Sequence, residues 1–184
     1  MLTPASSIAI IGFSDRGRSL GAQLAAHGCL LRAYDSMLDA ESTRELMQDH
    51  IEASGVDAKH TLAEALRGAK LVIATVDARH SAETARSAAA LLVDGQIYLD
   101  LSGAPASIHR DNALLIEGSG AQHVVGQLHT TLSLTGRAAA GLAEALQSLG
   151  CFAHAVNTLP PAEPHVPGHY ETIRPETPRR GELP

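Results

Sequence analysis

"IAIIGFSDRGRSLGAQLAAHGCLLRAYDS", residues 8–36, reads as strand, tight turn, helix and second strand. The run "SIAIIGF" (7–13) is continuously apolar, as a strand buried on both faces requires. Leu20, Gly21, Leu24 and Ala25 then fall on one face of a helix over about 16–27, and Gly28 closes it. "CLLRAYD" (29–35) is again strand-like and ends on an acid, 23 residues after Gly12. Gly12 turns the chain sharply out of the first strand, and Gly17 lets the helix lie close to it.

A diphosphate asks for this arrangement. The start of such a helix offers unbonded N–H groups and the positive end of its dipole. An acid at the end of the second strand is placed to accept the ribose hydroxyls of a dinucleotide. The candidate cofactor contacts are therefore Gly12, Phe13, Ser14, Asp15, Arg16 and Gly17 in the turn, with Asp35 beyond. A carboxylate at Asp35 repels a 2′-phosphate, so NAD is expected in preference to NADP. Ser14 departs from the pattern, because the middle position of the turn is normally a glycine that lets the phosphates approach. Its side chain either bonds a phosphate oxygen or weakens the site. Arg16 and Arg18, in the first helical turn, are further candidates to clamp a phosphate or else plain surface arginines.

Beyond Asp35 the same rhythm repeats. A polar helix is expected at about 38–53 and a short one at 61–69, the latter opened by Thr61 with Glu64 three residues on. "KLVIATV" (70–76) is a third long strand, followed by an Ala-rich helix at 79–92 and a strand at 96–102. "NALLIEG" (112–118), "TTLSLTG" (130–136) and "CFAHAV" (151–156) are expected as later strands, with a helix at 137–150. Strands alternating with helices of this length predict a Rossmann-type α/β domain, doubly wound around a mainly parallel sheet. That domain is expected over 1–156. The remainder, 157–184, holds seven of the nine prolines and no periodic apolar pattern, so it is expected to be an extended or disordered arm.

Composition narrows the class. With aromatics at 3% and no Trp, the core must be aliphatic and alanine-rich. A net charge of −6 argues against nucleic acid. No apolar run is long enough to span a membrane, and "MLTPASS" lacks the features of a signal peptide, so a cytoplasmic protein is expected. Cys29 and Cys151 are expected to be buried free thiols. His123 and His129 are expected in a loop with no carboxylate at ligand spacing, so no metal site is expected.

The opening unit, "TLAEALRGAKLVIATV" and "YLDLSG" together resemble the N-terminal domain of the β-hydroxyacid dehydrogenase and 6-phosphogluconate dehydrogenase family. Asp100 and Ser102 match that family's D-x-[ST]-T segment, and Gly103 departs from it. The resemblance covers roughly residues 7–156 and implies a nicotinamide near Thr75, Val76 and Asp77, with Ser102 lining a substrate pocket. It also implies a second, helical domain carrying a proton-transfer lysine. The chain has only Lys59 and Lys70, both expected before or at the start of strands, toward the wrong edge of the sheet. No catalytic residue is therefore assigned. An oxidoreductase-type domain is expected, completed by a helical partner chain or a second copy of itself. The other reading is a non-catalytic binding or scaffold subunit whose cofactor site has weakened through Ser14.

Overall fold

The computed structural model describes residue 3 and residues 5–157. The expected arm at 157–184 lies, but for its first residue, outside the described residues. Eight strands form one sheet in the order β3-β2-β1-β4-β5-β6-β7-β8. They are β1 Ser7–Ile11, β2 Leu30–Tyr34, β3 Asp57–Ala58, β4 Leu71–Ala74, β5 Ile97–Asp100, β6 Gln122–Leu128, β7 Leu132–Thr135 and β8 Ala153–Ala155. All neighbouring pairs are parallel except β6 with β7. The helices are α1 Asp15–Ala26, α2 Glu41–Glu52, α3 Leu62–Leu66, α4 Ser81–Ala89, α5 Ala106–Gly118 and α6 Ala139–Ser148. The doubly wound, mainly parallel fold is the expected one.

The pleat sorts the strand residues onto two cores. Ile8, Ile10, Leu71, Ile73 and Leu99 pack with Leu20 and Leu24 of α1 and Leu142 and Leu146 of α6. Ala9, Ile11, Val72, Ala74 and Tyr98 pack with Leu66 of α3, Ala85 and Ala88 of α4, and Ile116 of α5. Small residues on that second face let helices sit close, and the buried Tyr98 fills the space they leave. The capping box of α3 forms as expected: Thr61 Oγ1 accepts from the Glu64 amide, and the Glu64 carboxylate accepts from the Thr61 amide.

Three expectations fail. Residues 112–118 are not a strand but the second half of α5. "NALLIEG" is apolar, yet Leu114 is 76% exposed; its periodicity is helical, with Asn112 and Ile116 buried four apart. His123 lies not in a loop but in β6, which pairs with β5 along Ile97–Asp100. Lys59 follows a strand, the two-residue β3, rather than preceding one, and it pairs with Asp57 at 2.6 Å. Lys70 does immediately precede β4, at the opposite edge of the sheet, its amide bonded to Ser7 O.

Candidate functional site

Gly12 takes φ +80°, where a side chain is strained, and a Cβ there would lie 2.8 Å from Val76 Cγ1. A Cβ on Gly17 would lie 2.6 Å from both Gly12 O and Thr75 Oγ1. Thr75 is buried and its hydroxyl donates to Gly12 O, tying the end of β4 to the turn after β1. The two glycines thus let α1 start hard against the carboxyl ends of β1 and β4. No side chain caps that start: Ser14 Oγ turns away and donates to Thr75 O at 3.2 Å. The amides of the first helical turn are accordingly left without side-chain partners.

Asp35 follows β2 beside this turn. Its Oδ2 accepts from the Phe13 amide at 2.7 Å, and Oδ1 accepts from the Met37 amide at 2.9 Å. Each oxygen keeps a second lone pair for a hydroxyl donor. Phe13 itself is buried and contributes its backbone rather than its ring to the rim. Arg16 reaches across to the end of β5 and donates to Leu101 O at 2.8 Å. Arg18 points away and pairs with Asp15 at 2.8 Å, an exposed pair that contributes little. Val76 is half-buried beside Gly12, and Asp77 is exposed with Arg79 at 3.4 Å. Gly12, Phe13, Ser14, Asp15, Arg16, Gly17, Asp35, Thr75, Val76 and Asp77 therefore share the carboxyl edge of the sheet, where ligands of open α/β sheets bind.

Ser102 belongs to a different environment. It is buried, and its hydroxyl donates to Ser81 Oγ at 3.0 Å while accepting from the Ala104 amide at 3.3 Å. Gly103 next to it takes φ +67° with open space around it, so the departure from the family's segment is a turn that favours glycine. Asp100, fully buried, anchors this group. Its Oδ1 accepts from the Ser102 amide at 2.9 Å. Its Oδ2 receives His109 Nδ1 at 3.1 Å, Asn112 Nδ2 at 3.2 Å and Ser81 Oγ at 3.3 Å. Burial would push the Asp100 carboxyl up. Its contacts with His109, His123 and Ser102, and the charge of His109, more than offset that and hold it well below the usual carboxylate range.

Ser81, His109 and Asn112 were not singled out from the sequence. The signal was the spacing His109–Asn112–Ile116, one face of a helix, concealed by reading 112–118 as a strand. His123 stacks on Tyr98 at 5.9 Å, and its buried Nε2 has no hydrogen-bond partner. Leaving such an atom unsatisfied costs about 1–3 kcal/mol.

A glycine turn at a helix start, a buried threonine locking it and an acid at the next strand end define a dinucleotide-binding α/β domain. Residues 7–125 match the family described as the NAD binding domain of 6-phosphogluconate dehydrogenase, and the chain belongs to that family. Among solved structures, a conserved hypothetical protein from Sinorhizobium meliloti superposes with TM-score 0.78 at 24% identity, over 85% of this chain and 55% of its own. The 3-hydroxyisobutyrate dehydrogenase of Mycobacterium tuberculosis, solved with L-serine, gives 0.68 at 17% identity, over 82% and 54%. A reductive aminase from Aspergillus terreus, solved with NADPH and ethyl levulinate, gives 0.65 at 16%, over 83% and 54%. None of the curated proteins matches. The chain spans little more than half the length of these structural relatives.

Proposed function

We propose that this chain is the nicotinamide-dinucleotide-binding part of an oxidoreductase related to β-hydroxyacid dehydrogenases, and that another polypeptide segment supplies its proton-transfer group. The interlock of Gly12, Gly17 and Thr75 carries the reading. Those contacts are too close for any side chain at Gly17, and they hold an uncapped helix start over the sheet edge. The residues fit the cofactor: the first-turn amides of α1 receive the diphosphate, and Asp35 receives the adenosine ribose. Thr75, Val76 and Asp77 border the nicotinamide end. When bound, the cofactor donates or accepts a hydride. An alcohol or carbonyl substrate also needs a proton moved at its oxygen. Lys70 stands at the far edge of the sheet and Lys59 just past the outermost strand, β3, ion-paired with Asp57, so neither is placed to move it. A helical partner or a second copy would supply such a group.

Among the described residues no helix is long and apolar enough to cross a membrane. The buried free thiols Cys29 and Cys151 suit a reducing, cytoplasmic setting.

Titration of the purified chain with NADH and NADPH, followed by nicotinamide fluorescence, tests the reading. NADH should bind at least about tenfold more tightly, because Asp35 faces the 2′ position. Asp35→Asn should narrow that gap. Failure of both nucleotides to bind at millimolar concentration overturns the proposal, and turnover of a 3-hydroxy acid by the chain alone overturns the second half of it. A weakened site is favoured by one observation, the Arg16 bridge to Leu101 O across the sheet edge. On that reading Arg16→Ala tightens NADH; if Arg16 clamps phosphate instead, the same variant loosens it.

A further inference from the structure

On the α4–α5 face of the sheet, three ligand-type side chains from three elements converge where no role in holding a dinucleotide calls for them. Asp100 ends β5, His109 stands in the first turns of α5, and His123 lies near the start of β6. One carboxylate oxygen and one ring nitrogen from each histidine all lie within 4.8 Å of one another. Asp100 Oδ2 is 3.1 Å from His109 Nδ1 and 3.8 Å from His123 Nε2. Bonds of ~2.0–2.1 Å in a tetrahedral site put ligand atoms about 3.4 Å apart, so these separations bracket the requirement. A hydrogen bond explains the first distance and not the second.

The His123 side chain is 4% exposed, stacked on Tyr98 and without a partner for Nε2, the atom that faces Asp100. A second buried atom, Asn112 Oδ1, is also unpartnered, although its own amide nitrogen bonds Asp100 and Ser81. Two unpaired polar atoms thus lie buried near the Asp100 carboxylate, with no partner among the described residues at hydrogen-bond distance from either. We propose that Asp100 Oδ2, His109 Nδ1 and His123 Nε2 bind one divalent cation of the zinc class, with the Asn112 amide nitrogen steadying the carboxylate. Two imidazoles and one carboxylate suit zinc far better than magnesium or calcium, which take oxygen sets. On binding, His109 gives up the Nδ1 proton that it shares with Asp100 and carries its proton on Nε2. The ion acts as a staple, holding α5 and β6 to the end of β5, and so fixes the Leu101–Ala104 turn that Arg16 touches. The site does not depend on the cofactor reading, because none of its residues belongs to the glycine turn.

The test uses the full chain, freed of metal by a chelator and titrated with Zn²⁺ in a calorimeter and with Co²⁺ as an optical probe. Expected are one equivalent bound, the intense visible bands of four-coordinate cobalt, and a zinc-dependent rise in the unfolding midpoint. His109→Ala removes a partly exposed ring and should abolish all three with the circular dichroism unchanged, whatever the folding of His123→Gln. His165→Ala/His169→Ala, which removes two other histidines of the chain, should keep all three. Absence of stoichiometric binding, binding that survives His109→Ala, or binding lost in the His165/His169 variant overturns the site. NADH titration of the same samples reports separately on the dinucleotide reading.

Discussion

Gly17→Ala isolates the contact on which the cofactor site rests. The new methyl would sit 2.6 Å from Gly12 O, a backbone atom, and 2.6 Å from Thr75 Oγ1. Alanine would gain about 1 kcal/mol of helix propensity at this position. Against that, forcing a carbon into a filled space costs about 1–3 kcal/mol. Displacing the Thr75 hydroxyl from Gly12 O leaves a buried donor unpaired, for about 1–3 kcal/mol more. The balance is a loss of about 3 kcal/mol, which in a domain of this size lowers the melting midpoint by roughly 6–12 °C. Gly141 supplies the opposite sign. It lies in α6 with nothing within 4 Å of its would-be Cβ. Gly141→Ala should therefore stabilise by about 0.5–1 kcal/mol. Calorimetry of both variants beside the parent chain, with NADH titration of each, gives the answer. Gly17→Ala should lose stability and NADH affinity together, while Gly141→Ala gains stability and keeps the affinity. A Gly17→Ala protein as stable as its parent and equally able to bind NADH would refute the interlock.

Asp100 should govern the acid limb of stability. Its folded pKa lies below the ordinary unfolded value of about 3.9, so its contribution is complete above that pH and drains away as pH falls toward the folded value. Asp100→Asn should lose about 3 kcal/mol at neutral pH and show a flatter denaturant midpoint below pH ~4; parallel curves for the two proteins would count against it. Burial, with a smaller contribution from Cys29, pushes the Cys151 thiol up to about 11, and burial raises Cys29 as well. Both thiols should resist alkylation at pH 8 in the folded chain and react promptly in denaturant, as read by mass spectrometry; fast labelling of the native protein would contradict their placement. Thr61→Ala removes one half of the α3 capping box and should cost about 1 kcal/mol in denaturant melts, and an unchanged midpoint would show that the box carries no load.

The first strand, turn, helix and second strand were legible because their signals are local. Gly12, Gly17 and Asp35 lie within one supersecondary unit, and chain spacing alone fixes their relation. The Thr75 hydroxyl on Gly12 O was beyond such reading, since it joins residues 63 apart. The second half of the sheet misled for a physical reason. Leu114 and Leu115 are exposed, so "NALLIEG" carries an apolar run that reports neither strand nor burial. Once those residues became a strand, His109 and Asn112 lost their common helical face, and His123 lost the register that sets it across from Tyr98. The buried polar group around Asp100 was thereby invisible, although the aspartate itself was noticed. The departure at Gly103 was legible as a difference and became intelligible only with its positive φ.

The reversal between β6 and β7 has a further consequence. The strands β1 to β6 end at the rim that bears the glycine turn, whereas β7 runs back and β8 follows its direction. The backbone consequently leaves Ala155 at the foot of the sheet, four strand positions from β4. At ~4.8 Å per position sideways and about 17 Å up a five-residue strand, the trip to the nicotinamide end is some 25 Å, or about eight fully extended residues. Whatever completes the reaction must come over that distance along the same backbone, or descend on the rim from a separate molecule.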